Sequence, residues 1–154
     1  MNQFQIGKPP YLRLRNHPSH RKLGDIMATK RILIVDDERA VRQVLRDFFR
    51  GEGFEVCEAA SGREALKMAR EVEFHIILTD LKMPDETGIE VVKQIRSISD
   101  KTAVFILTGY PSPETTVRAL ELDVDGYISK PVDLNRLKQL VVYGHIRRKS
   151  MMRR

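Results

Sequence analysis

The sequence predicts an α/β domain built on an open, doubly wound parallel sheet of five strands, with helices on both faces. Three observations carry that prediction. Short apolar runs alternate five times with segments of helical period between Arg31 and His145. Three of those runs are near-continuously apolar, as strands buried on both faces must be. The alternation occupies about 115 residues, roughly half of what a closed eight-stranded barrel needs.

The elements follow in order. Ile32-Leu33-Ile34-Val35 is the first strand, and Val41, Val44, Leu45, Phe48 and Phe49 mark one stripe of the first helix, which Gly51 and Gly53 stop. Phe54-Glu55-Val56 is a weaker second strand. Ser61 with Glu64 three residues on makes a capping box for a helix carrying Ala65, Leu66, Met68 and Ala69. Phe74-His75-Ile76-Ile77-Leu78 is the third strand, which makes His75 a core residue, and Ile89, Val92 and Ile95 mark the third helix. Ala103-Val104-Phe105-Ile106-Leu107 is the fourth strand, with Val117 and Leu120 as the apolar face of the helix after it. Tyr127-Ile128 is a weak fifth strand, and Leu134, Leu137 and Val141 mark the last helix.

Charge divides the chain into three. Of 27 Lys/Arg and 21 Asp/Glu, residues 1–30 hold six bases and Asp25 alone, and residues 144–154 hold five bases and no acid. Residues 31–143 therefore keep sixteen bases against twenty acids, a net charge of −4. The expected organisation is a basic, disordered extension over 1–29, a domain over 30–145 and a basic solvated tail over 146–154. Met27-Ala28-Thr29-Lys30 looks like an ordinary domain start, and residues 1–26, with three prolines and no amphipathic period, look dispensable. An acidic body argues against nucleic-acid binding by the core. One cysteine, Cys57, allows no internal disulfide, and no run is apolar enough for a membrane span or signal peptide, so a cytoplasmic protein is expected.

In open parallel sheets, ligands bind beyond the carboxyl ends of the strands. Those positions hold Asp36, Asp37 and Glu38 after the first strand, Asp80 after the third, Thr108 after the fourth and Lys130 after the fifth. Singly, each is an ordinary helix cap or surface residue. Together they bring the carboxylates of Asp36, Asp37 and Asp80, a hydroxyl and an ammonium to one sheet edge.

Four segments in order, Ile32 to Glu38, Leu78-Thr79-Asp80-Leu81-Lys82-Met83-Pro84, Leu107-Thr108-Gly109 and Tyr127-Ile128-Ser129-Lys130-Pro131, resemble the successive signatures of the response-regulator receiver family, with Asp85 and Gly88 following the Asp80 motif. The resemblance covers about residues 30–145. It implies a (βα)5 flavodoxin-like fold with strand order 2-1-3-4-5. It also implies that Asp80 is the phosphoacceptor, that Mg²⁺ is held by Asp37, Asp80 and the backbone carbonyl of Lys82 with Asp36 acting through water, and that Lys130 contacts the phosphoryl oxygens. Thr108 and Tyr127 become the switch pair, Lys130-Pro131 a cis peptide, and Lys82 and Tyr110 the side chains beside the path of hydrolytic water.

Chemistry agrees with these types. A carboxylate is ionised at neutral pH and attacks phosphorus without a general base, and an oxygen-rich site crowded with negative charge calls for a hard cation such as Mg²⁺. The implied partners are a sensor histidine kinase or histidine phosphotransfer protein upstream and a protein partner downstream. None of His17, His20, His75 and His145 has a kinase context. Only 24 residues follow Lys130, so no DNA-binding output domain is expected. The alternative is the receiver portion of a larger transcriptional regulator. A phosphoaspartyl hydrolase of the haloacid dehalogenase type fits less well, since its second Asp stands two residues after the nucleophile, whereas Asp36 and Asp37 are adjacent.

Overall fold

The computed structural model of the protein describes residues 30–152. Expectations placed on residues 1–29, among them the disordered extension, His17 and His20, and those on 153–154, lie outside the described residues.

Five strands, β1 (Arg31–Val35), β2 (Glu55–Ala59), β3 (Ile76–Asp80), β4 (Ala103–Thr108) and β5 (Gly126–Ser129), alternate with five helices. These are α1 (Arg39–Gly51), α2 (Gly62–Glu71), α3 (Gly88–Ile98), α4 (Pro113–Glu121) and α5 (Leu134–Met151). All pairings are parallel and the sheet order is β2-β1-β3-β4-β5, as expected. Each strand alternates its side chains between two apolar layers, which is why the runs carry no polar face. Leu33, Val35, Ile77, Val104 and Ile106 pack with α2 and α3, whereas Ile32, Ile34, Ile76, Leu78 and Phe105 pack with Leu45 and Phe49 of α1 and Leu137 and Val141 of α5.

Side-chain caps start four of the helices. The oxygens of Ser61, Thr87, Ser112 and Asp133 accept from the backbone N–H groups of Glu64, Glu90, Thr115 and Arg136. The Glu64 carboxylate reaches back to the N–H of Ala60, one residue before the cap, rather than to Ser61 itself.

Several expectations are corrected. β3 starts one residue after His75, which is half-buried at the strand's entrance and not in the core. Val117 and Leu120 are more than half exposed, because α4 lies on the sheet through Ala119, whose small side chain permits close approach. Val44 is likewise turned to solvent while its neighbour Leu45 is buried.

The largest difference is at the C-terminus. Residues 146–151 continue α5 instead of forming a separate tail. Arg148 is 2% exposed: its Nε lies 2.8 Å from both Asp125 oxygens, Nη1 donates to the carbonyl of Asp100 (2.7 Å), and Nη2 to the carbonyl and Oδ2 of Asp123 (2.8 and 2.9 Å). Gly144 brings the helix close enough for this, since a Cβ there would come within 2.5 Å of the Phe105 ring. Among the described residues no helix is long and apolar enough to cross a membrane.

Candidate functional site

The register aligns the carboxyl ends of the central strands. Val35 pairs with Thr79, Asp80 with Leu107 and Thr108 with Ser129, so the residues that end or follow these strands share one edge. β1 and β3 are direct neighbours, and this brings Asp36 and Asp37 beside Asp80. One carboxylate oxygen from each of the three lies within 4.8 Å of the others. Asp36 is buried, Asp80 half-buried and Asp37 exposed.

Each carboxylate has a defined setting. Asp36 Oδ1 accepts the N–H of Glu38 (2.9 Å), which opens α1 without a side-chain cap from Glu38, and the Asp36 carbonyl accepts from Arg42 Nη1 (2.7 Å). Asp80 Oδ1 accepts the N–H of Leu81 (2.7 Å). Lys130 Nζ bridges the pair, 3.1 Å from Asp36 Oδ2 and 3.7 Å from Asp80 Oδ2. Burial, more than any other influence, raises the Asp80 carboxyl above its ordinary pKa. Lys130 opposes that rise, Asp36 adds to it, and the backbone N–H groups of Leu81 and Lys82 oppose it.

The loop after β3 is fixed from two sides. The N–H of Gly88 donates to the Leu81 carbonyl (2.7 Å), and a Cβ at Gly88 would press on the carbonyl oxygen of Asp80. The Asp85 carboxylate accepts the N–H groups of Gly62 and Arg63 (3.2 and 3.0 Å), tying the loop to the first turn of α2. Lys82 is exposed, with its ammonium 4.3 Å above the ring centroid of Tyr110, itself 69% exposed.

Thr108 is fully buried, and its Oγ1 accepts the N–H of Tyr110 (2.9 Å). The hydroxyls of Tyr127 and Thr115 are 2.7 Å apart, and the Tyr127 ring packs partly into the layer beneath α4. The Lys130-Pro131 peptide is cis. Thus Asp36, Asp37, Asp80 and Lys130 meet directly, while Thr108, Tyr127, Lys82 and Tyr110 surround them through their neighbours. Sequence reasoning missed Arg42, the anchoring role of Asp85, and Asp125 with Arg96 and Arg148. Their partners are joined by the fold and not by any local spacing.

The chain is similar to known proteins in both sequence and fold. Residues 32–142 match the family model described as response regulator receiver domain. The chain is 40% identical over 114 residues to the regulatory protein AtoC of Escherichia coli, covering 74% of this chain and 25% of that protein. It is 38% identical over 107 residues to the transcriptional regulatory protein ZraR of the same species, covering 70% and 24%. It therefore spans about a quarter of the length of these curated relatives. Sporulation initiation phosphotransferase F of Bacillus subtilis is 31% identical over 115 residues, with 75% of this chain and 93% of that one covered. Among solved structures, a CheY-like receiver domain protein of Methanospirillum hungatei superposes with a TM-score of 0.78 at 32% identity, over 80% of this chain and 98% of that chain. The response regulator TrrA of Thermotoga maritima, in complex with Mg²⁺-BeF, gives 0.69 at 31% identity, over 75% and 98%.

Proposed function

The chain belongs to the response-regulator receiver family, and from that premise we propose that Asp80 accepts a phosphoryl group from a phosphohistidine of a sensor histidine kinase or histidine phosphotransfer protein. The observation that carries this reading is the set of three carboxylates within 4.8 Å of one another, with one ammonium shared between Asp36 and Asp80. An Asp80 oxygen attacks phosphorus, the N–P bond breaks, and its electron pair returns to the imidazole of the donor.

The donor set is all oxygen and strongly negative, which fits a hard divalent cation and excludes a thiolate or imidazole site. Asp37, Asp80 and the Lys82 backbone carbonyl would hold Mg²⁺ there, with Asp36 acting on it through water. When bound, Mg²⁺ supplies the positive charge that lets an anionic phosphoryl group approach the carboxylates. Lys130 binds the phosphoryl oxygens with a charge-assisted contact. Thr108 and Tyr127 form the switch: the Thr108 hydroxyl gives up the Tyr110 N–H to bind the phosphoryl group, and Tyr127 leaves Thr115 to turn in behind it. Phosphorylation shifts a population between two arrangements of α4, β5 and α5, and a downstream protein partner reads it. The role is that of a cytoplasmic signalling switch and not a turnover enzyme, and the acidic body has no part in nucleic-acid binding. A second reading, favoured by the quarter-length match to AtoC and ZraR, makes the chain the receiver portion of a longer transcriptional regulator.

Lys82 and Tyr110 tune the lifetime of the acyl phosphate. Hydrolysis needs water in line behind phosphorus, opposite the Asp80 oxygen. The contact between the Lys82 ammonium and the Tyr110 ring supports their acting as one bulky cover at that approach. The expected result is slow loss of phosphate.

The central test is labelling by acetyl phosphate in Mg²⁺, read by intact mass. Wild type should gain one phosphoryl group and Asp80→Ala none. A phosphorylated Asp80→Ala protein would overturn the assignment. Small phosphomonoesters should be left unhydrolysed.

A further inference from the structure

At the opposite end of the sheet the chain gathers a second group of titratable side chains that phosphoryl transfer does not use. Lys30 leads into β1, His75 into β3 and Lys101 towards β4, while His145 and Lys149, four residues apart, share one face of α5. All five line one cleft of about 350 Å³, in which Glu73 is the sole carboxylate among the described residues. His75 precedes Asp80 by five residues of extended chain, about 17 Å at 3.3 Å per residue, so the two sites are separate.

The cleft carries positive charge without its complement. Among the described residues no ion pair reaches Lys30, Lys101 or Lys149, and none ties Glu73 to a cation. Lys30 is part-buried, and its pKa is pushed down first by burial and then by the ammonium of Lys149. His75 is pushed down to about 4, by burial first and then by Lys30, His145, Arg31 and Lys149. Its Nδ1 accepts the N–H of Arg31 (3.0 Å), which places the proton of the neutral ring on Nε2 as a donor. His145 is nine-tenths buried with its ring 5.9 Å from that of His75, and its Nδ1 has no hydrogen-bond partner among the described residues.

The ordinary explanation of such lysines is that they complement the negative end of a helix. It covers Lys149, in the last turn of α5, but neither Lys30, Lys101 nor the two imidazoles. A half-charge at one helix end is also smaller than three ammoniums. Lys30 and Met152, the first and last described residues, both line this cleft.

We propose that this cleft is an anion site for a phosphate-bearing small molecule, with the phosphoryl oxygens among Lys30, Lys101 and Lys149 and the Nε2–H of His75 as a neutral donor. A compact multivalent oxyanion answers several ammoniums at once, which chloride does not. The volume leaves room for an organic remainder beyond the phosphoryl group.

The test uses the full chain in EDTA, where no metal draws phosphate to the carboxylates, so that failure here is distinguishable from failure at Asp80. Pyrophosphate and inorganic phosphate are titrated at constant ionic strength and pH 7 while the Cε1–H NMR signals of His75 and His145 are followed. Saturable shifts of both are expected, with affinity about tenfold weaker or worse in a Lys101→Ala, Lys149→Ala variant. Both residues are exposed, so that variant keeps the fold; Lys30→Ala is the second variant. Shifts that fail to saturate, that chloride reproduces, or that survive both variants would overturn the proposal. Sedimentation with phosphatidic acid vesicles, competed by pyrophosphate, would support the site and identify a lipid headgroup as its ligand. Oligonucleotide binding that pyrophosphate does not compete would overturn it in favour of a polyanion surface.

Discussion

Lys130→Met keeps the length of the side chain and removes the ammonium that lies 3.1 Å from Asp36 and 3.7 Å from Asp80. Unit charges 4.8 Å apart, the limit separating the three carboxylates, repel by about 3.5 kcal/mol at an effective dielectric constant near 20. Asp37 is exposed and relieves its share through water, so the cost falls on Asp36 and Asp80, whose side chains are 4% and 12% exposed. Removing one member of a buried pair costs about 3–5 kcal/mol. Because Lys130 is itself 24% exposed, solvent screening reduces this to about 2–3 kcal/mol. At pH 7 in EDTA the variant should therefore lose about 1–2 M in its urea midpoint at an unchanged slope. Mg²⁺ should stabilise the variant more than wild type, since it restores the missing charge. Acid should also restore it. Lys130 opposes the raised pKa of Asp80, so its loss raises that pKa further. The folded state then binds a proton more tightly than the unfolded chain, and stability rises as pH falls through the folded pKa. A variant as stable as wild type at pH 7, or one indifferent to both Mg²⁺ and acid, would refute this account of the site.

Asp37→Ala should abolish Mg²⁺-dependent labelling by acetyl phosphate while changing urea stability in EDTA by less than about 0.5 kcal/mol, because the side chain is exposed; undiminished labelling would mean the metal is held elsewhere. Arg148→Met should destabilise by about 1.5–3 kcal/mol, since Asp125 loses its nearer guanidinium but keeps Arg96 Nη2 (3.1 Å) and the Val104 N–H (2.8 Å), and should speed hydrogen exchange over residues 145–151 before the rest of α5. A Lys82→Asn, Tyr110→Glu variant should lose its phosphate faster than the parent in Mg²⁺, followed by intact mass; slower loss would show that Lys82 and Tyr110 do not hinder water.

What the sequence revealed and what it hid follow from the range of the interactions. Ile32–Val35 and Ala103–Leu107 were legible because a strand buried on both faces must be apolar at every position. The cap at Ser61 acts within three residues, which is the scale of a spacing argument. The orientation of α4 was not legible: Val117 and Leu120 outrank Ala119 in hydrophobicity, yet contact with the sheet favours the small residue. Arg148 looked like one base in a solvated run, because nothing near it in sequence announces Asp125, 23 residues earlier, or Asp100, 48 residues earlier. Gly144 gave the same concealment, its need being set by the ring of Phe105.

The site's residue types were legible for a different reason: they stand where strands end, and the edge of a parallel sheet converts positions far apart in sequence into neighbours. The division of charge within the site was not. A single ammonium serves two carboxylates and lies nearer to Asp36 than to Asp80. Under the proposed function this asymmetry has a use. While Lys130 is held on Asp36, the Asp80 oxygens are left less neutralised, and burial keeps that carboxyl's affinity for a positive centre high. Mg²⁺ held among Asp36, Asp37 and Asp80 would supply the charge that Lys130 otherwise provides, and the ammonium would then be free to meet an incoming phosphoryl group. The same lysine thus stabilises the resting site and, once displaced, the modified one, which is why Lys130→Met should weaken both stability in EDTA and labelling in Mg²⁺, whereas Asp37→Ala should weaken labelling alone.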